Sequence, residues 1–95
     1  MTFRLSRGAA RDLDRIFDES VDVFGLPQAA RYAERLERTL ALLASNPRMA
    51  RERSELSPPV RAHRCGSHVI LYTIEPDGIL IVRVRHERED WTSTR

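Results

Sequence analysis

The segment HVILYTIEPDGILIVRVRH, residues 68–86, decides how this chain folds. Two apolar runs, 68–74 and 79–85, flank Glu75-Pro76-Asp77-Gly78, a tight-turn signal. That pattern predicts an antiparallel hairpin whose first arm, the most apolar stretch of the chain, lies centrally. Just upstream, residues 60–65 read as a shorter, more polar strand, joined through a turn at Gly66-Ser67. Together they form a three-stranded meander. Side chains alternate across a strand, so Leu80, Val82 and Val84 share one face, assigned to the core. Ile79, Ile81, Arg83 and Arg85 fall on the other, expected to be open. His86 is nominally in phase with the core set, but at a strand end where twist or a bulge can redirect it.

Working outward, the N-terminal half reads as helical. Thr2-Phe3-Arg4-Leu5-Ser6 alternates as a short strand with Phe3 and Leu5 on one side. Ser6 then caps a helix of about 16 residues, about 24 Å long. Its apolar stripe is Ala9, Leu13, Ile16, Phe17, Ser20 and Phe24, and Gly25 stops it. Pro27 suits the first position of a second helix. Ala29, Ala33, Leu36, Leu40 and Leu43 recur at spacings that make a seam for antiparallel packing on the first. Glu34 and Arg38 form an outer-face pair, and Asn46-Pro47 ends the helix. Residues 48–59 read as a polar loop stiffened by Pro58-Pro59. The order strand, helix, helix, then three strands predicts an α+β fold, β-α-α-β-β-β. The helical hairpin covers one face of a small antiparallel sheet, and the first strand pairs with the last or lies at its edge. The whole, residues 1–95, is expected to be one domain.

Composition excludes several chemistries. All 16 basic residues are arginine, set against 14 acids, for a net charge of +2. Without lysine there is no Schiff-base, phosphate-loop or general-base lysine. Arginine in such numbers fits either a codon preference or a surface that grips carboxylates and phosphates bidentately. The near balance of charge argues against a general nucleic-acid coat. One cysteine, Cys65, leaves no internal disulfide and no multi-thiolate metal site. No apolar run nears the roughly 18–20 residues of a membrane span. The charged N-terminus does not read as a signal peptide, so a cytoplasmic protein is expected.

Few residues offer chemistry. His63, His68 and His86 lack helical metal-ligand spacing, so neither metal nor cofactor is expected. Asp14, Asp18 and Asp22 make an acidic stripe that reads as a solvated face. Arg83 and Arg85 read either as solvated surface or as an anion or partner site. Trp91 stands alone near the C-terminus, either packed back on the sheet or exposed as an anchor.

Several segments together resemble one family. These are LSRGAARDLDRIFD, FGLPQAARYAERLERTLALLASNP and VRAHRCGSHVILYTIEPDGILIVRVRHERED, spanning Phe3 to about Asp90. The combination of Ala-x-x-Asp-Leu, Asn-Pro, a histidine opening the central strand with Tyr four residues on, and Ile-x-Arg-Val-x-His is similar to the ParE branch of the RelE/ParE toxin superfamily. The resemblance implies the toxin of a type II toxin–antitoxin module, a growth-arresting, plasmid-stabilising device. It implies neutralisation by a ParD-like antitoxin in a hetero-oligomer, and DNA gyrase as target. Any DNA contact would be made only through the antitoxin, and no membrane is involved. The RelE branch instead cleaves messenger RNA on the ribosome, which needs a cationic cluster with a general acid or base. Here Arg61, Arg83 and His86 supply part of that set, and the missing lysines weaken it. The expectation is therefore a binding poison with no catalytic residue, contacting its target through Arg83, Arg85, His86 and Trp91. The alternatives are an endoribonuclease using Arg61, Arg83 and His86, or an inactive homologue that only binds antitoxin.

Overall fold

The computed structural model describes residues 2–56 and 59–93. The elements run β1 (Thr2–Leu5), α1 (Arg7–Phe24), α2 (Leu26–Ser45), β2 (Glu52–Arg53), β3 (Val60–Cys65), β4 (His68–Glu75) and β5 (Gly78–His86), then a 3-10 turn at Trp91–Ser93. The five strands form one sheet in the order β1-β5-β4-β3-β2. β1 runs parallel to β5, and the remaining pairs are antiparallel. The α+β fold matches expectation, with the first strand both paired to the last and at the sheet edge. The two-residue β2 inside the expected loop and the turn at Trp91 are additions. Of the Pro58-Pro59 pair, Pro58 lies outside the described residues.

Local chemistry sets the helices. The Ser6 hydroxyl accepts the Ala9 N–H at 2.9 Å, capping α1. Gly25 both ends α1, its N–H reaching the Val21 carbonyl at 2.9 Å, and precedes α2, so the hairpin turns on a single residue. Pro27 is consequently the second residue of α2, not the first. The hairpin covers one sheet face, where Ala9, Ile16, Leu36, Leu40 and Leu43 meet Ile70, Tyr72, Ile79, Ile81 and Val84. Each fully buried Leu or Ile side chain is worth about 1.5–3 kcal/mol. Phe24, expected in the stripe, lies beyond the sheet at the hairpin tip and is 60% exposed.

The face assignment on β5 needs correction. Ile79 and Ile81 are buried beneath the helices, not displayed on the open face. Tyr72 pairs with Ile81 while Leu71 pairs with Arg83, leaving Val82 as an extra residue. This bulge shifts the period-two phase mid-strand, so Ile79, Ile81 and Val84 share the helix side. Leu80 and Val82, assigned to the core, are only half-buried.

The other sheet face is also less open than expected. Leu56, Val60, Val69 and Leu71 form a second apolar cluster, joined by Ala62 and Trp91. The Arg53 guanidinium sits 5.1 Å from the Trp91 ring centroid, a cation–π contact. Trp91 thus fastens the end of the chain to the back of the sheet. Trp91→Ala should cost about 1–2 kcal/mol, because the ring is partly exposed and gives up packing and the Arg53 contact together. Urea denaturation monitored by circular dichroism measures this. An unchanged midpoint would show that the ring contributes nothing to stability.

Candidate functional site

β1 spans only the first half of β5, pairing with residues 78–81. Side chains take the place of a strand along the rest of that edge. The Ser6 hydroxyl donates to the Val82 carbonyl at 2.7 Å. The Asp12 carboxylate accepts the Val84 N–H at 2.9 Å, and Glu89 accepts the His86 N–H at 2.9 Å. The Glu89 carboxyl is held below its ordinary value, first by that His86 N–H and then by the Arg85 guanidinium, which it also binds.

Asp12 anchors this edge. It is wholly buried, and the Arg83 guanidinium grips it with Nε at 2.8 Å and Nη2 at 3.0 Å. Arg15 adds a third contact at 3.0 Å. Burial opposes ionisation of Asp12, but the Arg83 hydrogen bonds, the Val84 N–H and the two guanidinium charges outweigh it, and its carboxyl lies below the ordinary range. Gly8 makes room for the pair, since a Cβ there would stand 3.0 Å from Arg83 Cδ. Arg83 therefore turns over the sheet edge to α1 and is not displayed on the outer face. In the sequence, Asp12 stands in the Ala-x-x-Asp-Leu opening of the first helix, and nothing local names Arg83 as its partner. The signal of its burial is its place between Ala9 and Ile16 on the buried side of α1.

The remaining singled-out residues are dispersed. Arg61 donates to the Ala50 carbonyl at 2.6 Å, beside the Tyr72 hydroxyl that donates to the Pro47 carbonyl at 2.7 Å. These bonds pin the loop after α2. His86 lies at the other end of the sheet, opposite His68, with ring centroids 5.3 Å apart and edge-on. Its Nδ1 accepts the Arg88 N–H at 3.1 Å. Arg61, Arg83 and His86 thus hold three different parts of the fold and do not converge on one reacting centre. Among the described residues no group of three or more His, Cys, Asp or Glu side chains is arranged to hold a metal ion, and no helix is long and apolar enough to cross a membrane.

A cleft of about 610 Å³ lies between α1, the start of α2 and the β3–β4 turn. Ile16, Val23, Phe24 and Tyr32 supply its apolar lining, and His68 and His86 also line it. At the hairpin tip Val23, Phe24 and Leu26 are 71%, 60% and 59% exposed, continuing the apolar surface outward. On the α2 wall Arg31 and Arg35 make no ion pair among the described residues. The Tyr32 hydroxyl lies 2.7 Å from His68 Nδ1 and 3.1 Å from the Cys65 carbonyl, and it accepts the Ser67 N–H at 3.1 Å. An exposed apolar patch continuous with a cleft and bordered by unpaired arginines is the kind of surface that marks contact with another macromolecule.

A small α+β interaction domain, with its sheet edge locked by a buried ion pair, is the class these features define. The family model for the ParE toxin of the type II toxin–antitoxin system parDE matches residues 3–91. Toxin ParE1 of Mycobacterium tuberculosis is 35% identical over 89 residues, covering 93% of this chain and 91% of the relative. Toxin ParE1 of Caulobacter vibrioides is 38% identical over 85 residues, covering 90% and 88%. A solved structure of the chromosomal ParDE toxin–antitoxin system from P. aeruginosa superposes with a TM-score of 0.76 at 25% identity, covering 90% of this chain and 95% of that one. The chain belongs to the ParE toxin family of type II toxin–antitoxin systems.

Proposed function

We propose that this chain, acting as one domain in the cytoplasm, stops growth by binding DNA gyrase, and that a ParD-like antitoxin neutralises it in a hetero-oligomer. The observation that carries the binding reading is the engagement of the nuclease candidates. Arg83 is spent on buried Asp12, Arg61 on a main-chain carbonyl, and His86 stands at a separate end of the sheet. An endoribonuclease needs its cations and its acid or base gathered on one phosphate.

The target-contact surface is the end of β5 and the segment after it. His86 and Trp91 offer contact there, Arg85 is held by Glu89, and Arg83 acts through its grip on α1. The antitoxin seat is the neighbouring cleft. An amphipathic segment with apolar anchors and carboxylates fits its apolar lining and its free arginines. His86 belongs to both surfaces, so an antitoxin in the cleft covers part of the target surface. DNA contact belongs to the antitoxin alone.

The test is a supercoiling assay with purified toxin free of antitoxin. Gyrase should lose activity at stoichiometric toxin and regain it when the antitoxin is added. Unchanged supercoiling at excess toxin overturns the gyrase reading. Translation-coupled mRNA cleavage that His86→Ala abolishes, with the fold intact, would put the RelE-type reading in its place.

A further inference from the structure

The floor of the cleft carries two imidazoles, and their ring nitrogens are unequally used. His68 Nδ1 faces the Tyr32 hydroxyl at 2.7 Å, and His86 Nδ1 accepts the Arg88 N–H at 3.1 Å. Nε2 of each ring has no hydrogen-bond partner among the described residues. Where Nδ1 accepts, the proton of a neutral ring sits on Nε2, which then needs an acceptor from outside the chain. The Tyr32 hydroxyl also accommodates a charged His68. Donation from Nδ1–H to the phenol oxygen redirects the phenol proton to the Cys65 carbonyl, 3.1 Å away. Burial pushes the Tyr32 phenol up, so it keeps this proton at neutral pH.

We propose that the His68–His86 pair is a receptor for a carboxylate side chain of the partner segment, and that filling it takes up a proton. The inference rests on the cleft being the antitoxin seat. The groups facing the pair come from every surrounding element. Arg15 and Glu19 stand on α1, and Tyr32, Arg31 and Arg35 on α2. Cys65 ends β3, while Arg85, Glu87 and Glu89 lie on and after β5. In the free toxin, burial and the neighbouring His86 hold the His68 imidazole below its ordinary value, against the opposing pull of Glu19, Glu89 and Glu87. An arriving carboxylate adds negative charge beside the pair, and two imidazoliums 5.3 Å apart repel, so the pair gains one proton and not two. Arg31 and Arg35 hold the segment's other carboxylates at the rim. Binding therefore strengthens as pH falls, with a ceiling of tenfold per pH unit for one proton.

The probe is the small protein encoded by the reading frame adjoining the toxin gene, titrated into intact toxin by calorimetry between pH 8 and pH 6. Buffers of different ionisation enthalpy count the protons. About threefold to tenfold tightening per pH unit is expected, with net proton uptake. A toxin carrying both His68→Gln and His86→Gln should still bind but lose the pH dependence. Histidine NMR of the wild-type toxin, alone and in complex, should show the His68 imidazole titrating higher once bound, a readout that requires no variant to fold. Binding that is independent of pH, or weaker at pH 6, overturns the inference and leaves the antitoxin reading standing. No binding at any pH overturns the antitoxin seat and this inference with it.

Discussion

Asp12→Ala is expected to remove about 3–5 kcal/mol of folding stability, the loss typical of stripping one partner from a buried ion pair. For a domain of this size that is a large part of a total of about 5–15 kcal/mol. The reason lies in what is left behind. The Val84 N–H loses its acceptor on an edge that β1 does not reach, and the Arg83 guanidinium loses its buried, doubly hydrogen-bonded carboxylate, keeping only the more distant charge of Glu89. Arg83→Leu should cost less, because Arg15 and the Val84 N–H still compensate the carboxylate. The double variant should be less damaging than the sum of the two, and a double-mutant cycle in urea measures that coupling. Acid supplies an independent check. The folded carboxyl lies below its ordinary value, so its contribution is complete above the unfolded value of about 3.9. It is lost as pH falls through the lower folded value. The gap between wild type and Asp12→Ala should be level from pH 7 to pH 5 and close below pH 4. A gap that closed near pH 6 would mean that the carboxylate is not held as described.

Gly78→Ala is the second large loss. Gly78 opens β5 with φ 155°, and a Cβ there would meet the Thr2 carbonyl oxygen at 2.1 Å and its carbon at 3.0 Å. Both are main-chain atoms of β1, which pairs with Gly78 directly, so no side chain can swing aside. The expected result is expulsion of β1 and a loss of about 3 kcal/mol or more, combining backbone strain with lost strand pairing. Hydrogen exchange should find the amides of residues 3–5 unprotected while β3 and β4 keep their protection. Normal protection at residues 3–5 would show that β1 tolerates the methyl group.

These two positions show where the sequence was legible and where it was not. The helices could be read because their signals are local: Ser6 caps, Gly25 turns the hairpin, Asn46 closes α2, and the leucine seam keeps its period. Gly78 was read as a turn residue, but its closer constraint is a strand 76 residues earlier in the chain, and no local pattern reports that. Period-two reasoning failed at Val82, since a bulge leaves no mark in an unbroken apolar run such as Ile79–Val82. It therefore sent Ile79 and Ile81 to the wrong face and hid the reach of Arg83 to α1. The candidate site was partly legible. His86 was singled out, but its companions His68 and Tyr32 come from β4 and α2, and only the fold brings the three together.

The parallel pairing of β1 with β5 also bears on how the molecule is born. Residues 2–5 are made before residues 78–81 and must wait for them before they find their partners. Asp12 likewise waits for Arg83 and Val84. Synthesis proceeds at about 5–20 residues per second, so the nascent chain spends several seconds without the strand that completes its sheet. The surface around His86 and Trp91 forms only after β5 and the turn that follows it have been made. Any partner of that surface can engage it only once β5 is in place.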